Sequence, residues 1–505
     1  MIIWGISGNS HDAAIAVFKY SMRPAWMRLS NEMELVFASQ SERFSGVKND
    51  AHLNKELVNY AKQWGEPDEL VWYEKPFIKT LRQYRAGQGW NYSKNNIKKY
   101  LQSYNINCPI RYSSHHRSHA SAGYLTSGFD NATILCIDSI GEFETLTLWN
   151  ANTTKQGEYK GVHSLAQVAS QGYPNSVGLW YSAMTQRIGL KPQEDEYILM
   201  GMAAYGDPDR FYNDIYNDLI EFNGKIVKCK QNLHRGCLWW KPEYNSPQDI
   251  LDIAAATQKV YTEIFESLLQ MARLKTTSNN LVLMGGCALN CSANSIAYKY
   301  FDNVWIMPNP GDSGSAIGSV LSYYNKSIEW PGAYLGYNIE GEYPVEETIK
   351  ELTHKQICGV ASGRAEFGPR AFGNRSLLAD PRGSNIKDRV NDIKHRQQFR
   401  PFAPVVLSEH FDDNFSGYAN SYMQFTAQCR NPNLYPAIVH TDNTSRVQLV
   451  KPDGSGIRRL LERWYEETGC PMLLNTSLNI KGKPIVNNIA DAKAFEKQYG
   501  VKVCT

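Results

Sequence analysis

The sequence lacks three features that would place it in a common class. It has no Cys-x-x-Cys pair: the closest two of its ten cysteines are Cys287 and Cys291. It has no apolar run near the roughly 20 residues that span a bilayer, and no basic start followed by an apolar stretch, as a signal peptide has. We therefore expect a cytoplasmic protein without a membrane segment, whose cysteines are small buried residues in a reducing compartment.

The chain also lacks a strong excess of charge of either sign. It has 53 basic and 50 acidic residues, for a net charge of +3. This balance gives no overall electrostatic footprint for nucleic acid or a membrane surface. A length of 505 residues with 42% hydrophobic composition is globular and too long for one ordinary core, so two or three domains are expected.

What is present is an α/β pattern, because short apolar runs alternate with helical stretches. Residues 1–6 and 13–18 predict two strands that form a hairpin around Ser7-Gly8-Asn9-Ser10. Further buried strands are predicted at 134–137, 281–284 and 304–307, each followed by Gly or Asp. Ligands bind at the carboxyl ends of strands in open α/β sheets, so the pattern indicates one shared site. A linker at 329–332 places the domain boundary near residue 330.

Four side chains suggest a metal site. His115 and His119 are four residues apart, which places them on one face of a helix. Asp138 follows a predicted strand, and Asp312 lies in a glycine-rich turn. Two imidazoles and two carboxylates suit a divalent ion, and favour iron, manganese or zinc over calcium. A bare His-x-x-x-His pair is also compatible with ordinary histidines on a solvated helix.

His11 lies in the glycine turn between the first two predicted strands, within Gly8-Asn9-Ser10-His11-Asp12. A histidine there is suited to act as general base on a hydroxyl, since its ordinary pKa lies near neutrality. The alternative is a turn or capping histidine.

Two further motifs indicate phosphate chemistry. Gly285-Gly286 lies between a predicted strand and a helix, where a backbone could approach a nucleotide. The segment 363–375 contains three arginines, whose planar groups bind phosphate with two hydrogen bonds; a structural ion-pair network is the alternative. Lys394, Arg396, Arg400 and Arg446 add positive charge. These residues alone predict a transferase that uses ATP or another phosphoanhydride, with an unknown acyl group.

In this order, the motifs resemble the O-carbamoyltransferase family that includes enzymes acting on nodulation factors, cephamycin, novobiocin and tobramycin. The resemblance extends from residue 5 to residue 486. The matching stretches are GISGNSHDAA, SERFSGVK, HHRSHA, DSIGE, MGMAAYG, GGCALNCSAN, PGDSGSAIGS, EFGPRAFGNRSLLADPR, FRPFAPVVL, HTDNTSRVQ and LLNTSLNIKGKPIV.

The resemblance implies two α/β domains with separate tasks. Residues 1–330 are similar to threonylcarbamoyl-transferring proteins of the actin-like ATPase superfamily, and residues 331–505 to the YrdC fold. The second domain would form carbamoyl-adenylate from carbamoyl phosphate and ATP with Mg. The first would transfer the carbamoyl group to a hydroxyl of a small acceptor: a natural product, a sugar or a hydroxymethylated nucleotide. Nucleic acid is otherwise not expected as a partner, and a homodimer is the default state.

The resemblance also implies roles for individual residues. His115, His119, Asp138 and Asp312 match the family's site for Fe(II) or another divalent transition metal, and His11 matches its base. The expected carbamoyl phosphate and ATP phosphate site consists of Arg370, Arg375, Lys394, Arg396 and Arg446, lined by Asn475, Thr476 and Ser477. The nucleotide-side loop of the first domain consists of Gly285, Gly286 and Asn290.

Two other functions remain open. A tRNA threonylcarbamoyladenosine-type enzyme would share the first domain and the metal, but not the fused second domain. A non-catalytic nucleotide-binding scaffold would not need His11 or the metal ligands. The aromatic, basic segment from Trp72 to Tyr100 is a candidate for acceptor or partner contact; a surface helix pair with solvated lysines is its simpler interpretation.

Overall fold

The computed structural model describes residues 1–21, 32–156 and 159–505. The chain divides into two compact units. The first contains Met1–Ser41 and Ala51–Pro331, and the second contains Glu42–Asp50 and Gly332–Thr505. The short segment Glu42–Asp50 belongs with the second unit because Arg43, which is buried, donates to the carbonyl of Gly368 at 2.7 Å.

The first unit contains two five-stranded sheets with the same strand order. In the first sheet the order is β3-β2-β1-β4-β5, and in the second it is β8-β7-β6-β11-β12. In each, the central strand pairs antiparallel with the next strand along the chain and parallel with a later one. The strands are β1 (Ile2–Ser7), β2 (Ala14–Ser21), β3 (Glu32–Gln40), β4 (Glu69–Trp72), β5 (Ile110–Tyr112), β6 (Asn131–Gly141), β7 (Glu144–Gln156), β8 (Tyr159–Gly172), β9 (Ile220–Phe222), β10 (Val227–Cys229), β11 (Asn280–Met284) and β12 (Asn303–Ile306).

Two helices of this unit pack together at positions with small residues. The helices, numbered along the whole chain, are α2 (Lys55–Ala61), α3 (Pro76–Arg85), α4 (Ile97–Gln102), α5 (His115–Ser127), α6 (Val177–Arg187), α7 (Glu196–Met202), α8 (Tyr212–Asp218), α9 (Pro247–Lys275), α10 (Cys291–Asn294) and α11 (Ser315–Tyr324). A Cβ on Gly318 of α11 would lie 1.9 Å from the Ser118 carbonyl of α5. A Cβ on Gly5 of β1 would lie 1.8 Å from the Ala316 carbonyl. Glycine is required at both positions because no side chain fits between the elements.

The second unit is built on a six-stranded mixed sheet of order β21-β17-β22-β16-β14-β23. Strand β22 lies near its centre and pairs antiparallel with both β16 and β17. The strands are β13 (Tyr334–Ile339), β14 (Ile357–Ala361), β15 (Gly363–Glu366), β16 (Arg375–Ala379), β17 (Ala403–Leu407), β18 (Phe415–Gly417), β19 (Ala427–Cys429), β20 (Thr444–Ser445), β21 (Gln448–Val450), β22 (Met472–Ser477) and β23 (Val503–Cys504). The helices are α1 (Glu42–Ser45), α12 (Val345–Lys355), α13 (Ile386–Ile393), α14 (Phe411–Asn414), α15 (Gly456–Thr468) and α16 (Ile489–Tyr499).

The mixed α/β class and the five predicted strands are confirmed. The hairpin β1–β2 closes with Ser7 opposite Ala14. The helix expected directly after Gly285-Gly286 forms only short turns, of which α10 is the one α-helical piece among the residues described there. Across the described segments, no helix combines the length and apolarity needed to cross a membrane.

Candidate metal centre and anion-binding residues

The four predicted metal ligands converge in the first unit. One donor atom from each of His115, His119, Asp138 and Asp312 lies within 4.8 Å of the other three. The two Nε2 atoms are 3.1 Å apart. Asp138 Oδ2 lies 3.2 Å and Asp312 Oδ1 3.4 Å from His115 Nε2. All four donors therefore point at one volume.

Local structure explains how each ligand reaches this volume. His115 and His119 occupy successive turns of α5 on one face, as their spacing predicts. Asp138 lies where the pairing of β6 with β7 shifts register between Ile137 and Gly141. Such bulges redirect side chains and recur beside functional sites. Asp312 follows β12 and precedes α11. The carboxyl ends of β6, β11 and β12 thus form the shared site that the strand pattern predicted.

Close backbone packing fixes the ligands. A Cβ on Gly141 would lie 2.0 Å from His115 Cδ2, so the imidazole lies directly against this glycine. The Gly286 amide donates to Asp138 Oδ1 at 3.2 Å. Gly285 has φ +88°, and a Cβ there would lie 2.3 Å from the Ile137 carbonyl. The diglycine is therefore needed for the backbone to approach β6 and hold Asp138.

The donor set fits a divalent transition metal ion. The buried carboxylate of Asp138 and the partly buried one of Asp312 carry two negative charges, which a divalent cation would balance while both imidazoles stay neutral. His119 Nδ1 lies 3.2 Å from Ser315 Oγ, the type of contact that directs the other ring nitrogen toward a metal. His115 Nδ1 has no hydrogen-bond partner among the described residues. Without a cation, burial opposes the charged forms, but the imidazoles hold the pKa values of Asp138 and Asp312 below the usual range.

His116 is not part of this cluster. Its side chain is fully buried, and its Nδ1 lies 2.9 Å from Thr147 Oγ1. Burial and the neighbouring His115 lower its pKa to about 3. It is therefore a neutral core histidine, consistent with its position off the shared face of α5.

His11 lies on the β1–β2 turn, beside the cluster. Its Nδ1 is 3.1 Å from Asp12 Oδ2, and its Nε2 is 3.3 Å from the Gln193 carbonyl. Burial acts to lower the pKa of His11, but Asp12 and then Asp312 outweigh it and raise the pKa to about 10. The sequence reasoning missed Asp12 as the partner of His11, although the two are adjacent.

Asn290 is tied into the first unit's own network. Its side-chain amide exchanges hydrogen bonds with Gln258 of α9, at 3.0 and 3.2 Å. Its Oδ1 also accepts from the Ala293 amide, which caps α10. These bonds give Asn290 a structural role beside the nucleotide-side role expected from the resemblance.

In the second unit the predicted anion-binding residues fall into two kinds. Arg375 is fully buried, and its guanidinium donates to five backbone carbonyls at 2.9 to 3.1 Å, those of Tyr337, Ser362, Gly363, Asn374 and Asn487. A phosphate could reach it only by displacing these acceptors. Arg375 therefore has a structural role, and the expected phosphate role is not part of our proposal.

Lys394 is buried without an acidic partner among the described residues. Its Nζ donates to the Ser477 carbonyl and, at 2.9 and 3.0 Å, to the carbonyl and Oδ1 of Asn479. Burial, followed by the charges of Arg396 and Arg400, lowers the pKa of Lys394 well below its usual value. A bound anion would oppose this lowering of the pKa, but Nζ would first have to give up one of these acceptors. Arg396 also stacks 4.0 Å above the Phe402 ring.

The remaining predicted residues differ in how many of their polar atoms already have hydrogen-bond partners. Arg446 is half-buried, and its Nε has no hydrogen-bond partner among the described residues. Asn475 donates to Gln448 Oε1 at 2.7 Å and to the Ala371 carbonyl at 3.1 Å. Thr476 and Arg370 are half-buried. Arg446 is thus a better candidate for a ligand-facing cation than Arg375.

Comparison with known proteins bears on both units. The family model described as carbamoyltransferase N-terminus matches residues 72–321, and that described as carbamoyltransferase C-terminus matches residues 349–504. Nodulation protein NolO of Bradyrhizobium diazoefficiens is 30% identical over 75% of this chain and 75% of its own length. A 3′-hydroxymethylcephem-O-carbamoyltransferase of Amycolatopsis lactamdurans is 25% identical over 97% of this chain and 95% of its own length. An uncharacterized protein of Synechocystis is 31% identical over 97% of this chain and 93% of its own length.

Similarity to solved structures is weak. Full-length HypF, in a phosphate- and nucleotide-bound form, overlaps 64% of this chain and 46% of its own with a TM-score of 0.33 and 12% identity. A putative N-acetylmannosamine kinase from Listeria monocytogenes overlaps 64% of this chain and 99% of its own with a TM-score of 0.30 and 9% identity. At this similarity the overlaps carry no argument about the function of this chain.

Proposed function

Because this chain belongs to the O-carbamoyltransferase family, we propose that it uses ATP and carbamoyl phosphate to form carbamoyl-adenylate and transfers the carbamoyl group to a hydroxyl. The observation that carries this proposal is the convergence of His115, His119, Asp138 and Asp312 within 4.8 Å, with His11 close enough to Asp312 for that carboxylate to raise its pKa.

We assign the two steps to different units. The first unit would transfer the carbamoyl group; its two sheets of identical order support the actin-like architecture implied by the resemblance. The second unit would form the adenylate, and the YrdC-like architecture remains a proposal that rests on the resemblance. In the second unit, Arg396 and Arg446 are the basic groups that support binding of phosphate. Lys394 would bind it only by giving up one of its acceptors on Ser477 and Asn479.

A carbamoyl carbonyl is a poor electrophile, because its nitrogen donates electrons to it. A divalent metal at the four ligands, Fe(II) or another transition metal, would supply Lewis-acid polarisation of this carbonyl. The adenylate provides a good leaving group: the acceptor oxygen bonds to the carbamoyl carbon, the bond to the AMP phosphate oxygen breaks, and AMP leaves with the electron pair.

His11 would accept the acceptor hydroxyl's proton. With Nδ1–H donating to Asp12, neutral His11 has its lone pair on Nε2, so Nε2 would exchange the Gln193 carbonyl, 3.3 Å away, for the acceptor hydroxyl before it takes the proton. A pKa of about 10 keeps His11 protonated at neutral pH. A cation bound at Asp312 would offset that carboxylate's contribution and favour the basic form.

The acceptor class follows from the relatives only in part. The Amycolatopsis relative is named for a hydroxymethylcephem, so a primary hydroxymethyl group is a reasonable acceptor here. The tRNA-modifying alternative is less favoured because the carbamoyltransferase C-terminus model also matches, over residues 349–504. The scaffold alternative leaves the converging ligands without a purpose.

The proposal is tested by mass spectrometry on the purified chain with ATP, carbamoyl phosphate and a panel of aminoglycosides, sugars and hydroxymethyl-pyrimidine nucleotides. We expect ATP-dependent carbamoyl-adenylate and a carbamoylated acceptor. His11→Asn should keep adenylate formation but slow transfer by about 10²- to 10⁴-fold, the usual contribution of a general base. Loss of both steps in His11→Asn would contradict the division of steps. When tRNA, threonine and bicarbonate are added with ATP, a threonylcarbamoylated adenosine would instead support the tRNA-modifying alternative. Formation of neither product would support the scaffold alternative.

A further inference from the structure

A stretch of the first unit has an extreme charge asymmetry that the balanced whole chain conceals. Residues 75–129 contain nine Lys and Arg residues and no Asp or Glu, in a chain with 50 acidic residues. Lys75, Arg85, Lys94, Lys98 and Lys99 are exposed. None of these five forms an ion pair with a carboxylate of the described residues.

The same stretch exposes a row of aromatic rings. Tyr84, Trp90 and Tyr92 are 64%, 55% and 56% exposed. The ring centroids of Tyr84 and Trp90 are 6.0 Å apart with their planes at 78°, edge to face, and those of Trp90 and Tyr92 are 6.5 Å apart with an interplanar angle of 24°. Tyr112 is 40% exposed and lies near Tyr92. Partial burial is the main cause that raises the pKa of Tyr112, and the neighbouring Tyr92 is the second.

This face is connected directly to the candidate active site. Asn9, on the turn of His11, donates from Nδ2 to the Lys94 carbonyl at 3.0 Å and accepts from Lys79 Nζ at 2.9 Å. Tyr112 ends β5 three residues before the metal-site residue His115. Helix α3 has 10 residues, or about 15 Å, and Tyr84 lies near its far end. The row of rings is thus within a few nucleotides' length of the His11 turn.

Cations interleaved with exposed aromatic rings suit a particular ligand chemistry. Bases stack on such rings while Lys and Arg follow the phosphates. A cationic aminoglycoside would be repelled, and a second copy of this face would repel itself across a two-fold axis. A mononucleotide needs one ring, whereas a row of three suits successive bases.

We propose that the face formed by Tyr84, Trp90, Tyr92 and the exposed cations of residues 75–99 binds single-stranded nucleic acid beside the His11 turn. One of its nucleotides then supplies the acceptor hydroxyl. This last step rests on the proposed carbamoyl transfer, but the binding does not.

Fluorescence anisotropy with a 5′-labelled oligothymidylate of about 12 nucleotides tests the binding on the whole chain without ATP. We expect binding that weakens about tenfold or more between 50 and 200 mM salt, because several phosphates release counterions. Trp90→Ala and Tyr92→Ala should each weaken binding about tenfold, the effect of losing one stacked base. Both rings are exposed, so the variants should fold. Tyr418→Ala is the matched control, since Tyr418 is 45% exposed in the second unit.

Four results would overturn the inference: no binding at 50 mM salt; unchanged affinity in both aromatic variants; equal displacement by polyglutamate; or equal displacement by thymidine monophosphate at the same nucleotide concentration. Pyrophosphate release from ATP with carbamoyl phosphate is measured in parallel. Strand binding without pyrophosphate release would refute the proposed function and leave the binding face intact. Pyrophosphate release without strand binding would refute the binding face and leave the proposed function intact.

Discussion

The metal cluster of the first unit and the basic residues of the second unit differ in how their polar atoms are satisfied. At the cluster, four donors from α5, β6 and the turn after β12 point at each other within 4.8 Å. In the second unit, the guanidinium of Arg375 donates hydrogen bonds to five backbone carbonyls, whereas the Nε of Arg446 has no partner among the described residues. Convergence of donors indicates a ligand, and saturation by backbone indicates a structural role.

This difference explains why the metal-ligand motif predicts a binding site better than the arginine motif does. A metal site needs few atoms at one point, and two of them are already fixed by the i, i+4 spacing of one helix. An arginine can bind phosphate or carbonyl oxygens with the same planar group. Only its surroundings in the folded chain separate the two uses.

The largest effect should come from removing a cluster carboxylate. We expect Asp312→Asn to lower transfer by about 10³-fold or more, because a lost ligand forfeits several kcal/mol of charge stabilisation. Bound metal, measured by elemental mass spectrometry, should fall with it, while pyrophosphate release persists. Asp302→Asn makes the same change at an exposed site outside the cluster and should alter neither. Full metal content and transfer in Asp312→Asn would remove the basis for the metal centre.

The two arginines of the second unit should fail in different ways. Arg446→Ala should reduce pyrophosphate release about 10- to 100-fold at unchanged stability, through the lost charge-assisted hydrogen bond. Arg375→Ala should lower the free energy of unfolding by about 3 kcal/mol or more, because buried carbonyls lose their donors. That corresponds to about 10 °C in Tm.

Arg459→Ala, at an exposed position, serves as control for this pair, measured by calorimetry and pyrophosphate release. Arg375→Ala with native Tm but lost pyrophosphate release would reverse our distinction between the two arginines.

The smallest effect concerns the pH dependence of transfer. Asp12 is the main charge that raises the pKa of His11, and the base form of His11 increases as the pH rises. Asp12→Asn should therefore move the rise of transfer with pH toward lower pH, by about one unit or more. Asparagine tolerates the φ of +47° at this position. The rate of carbamoyl transfer from pH 6 to 10 measures this; an unshifted profile would mean that His11 does not take the proton.

Local patterns allowed much of the site to be predicted. The hairpin around His11, the shared face of His115 and His119, and the strands before Asp138 and Gly285 all follow from period and turn residues. The pairing of His119 with Ser315 and the contact of Gly141 with His115 join segments that are distant in sequence or meet through a bulge, so no local pattern announces them. The short turns at 286–299 replaced an expected helix because tertiary contacts such as Gly285 on Ile137 override propensity.

The sequence by itself determined which chemical groups are available, their local spacing and the family. It also contained the acid-free stretch 75–129, which the net charge of the whole chain hides. The tertiary structure decided which groups meet and which are already used. The acceptors of Arg375 come from segments as distant as Tyr337 and Asn487, and the ligands of the cluster from three separate elements. Such contacts depend on chain crossings rather than on spacing, so they are fixed only when the sheets have formed.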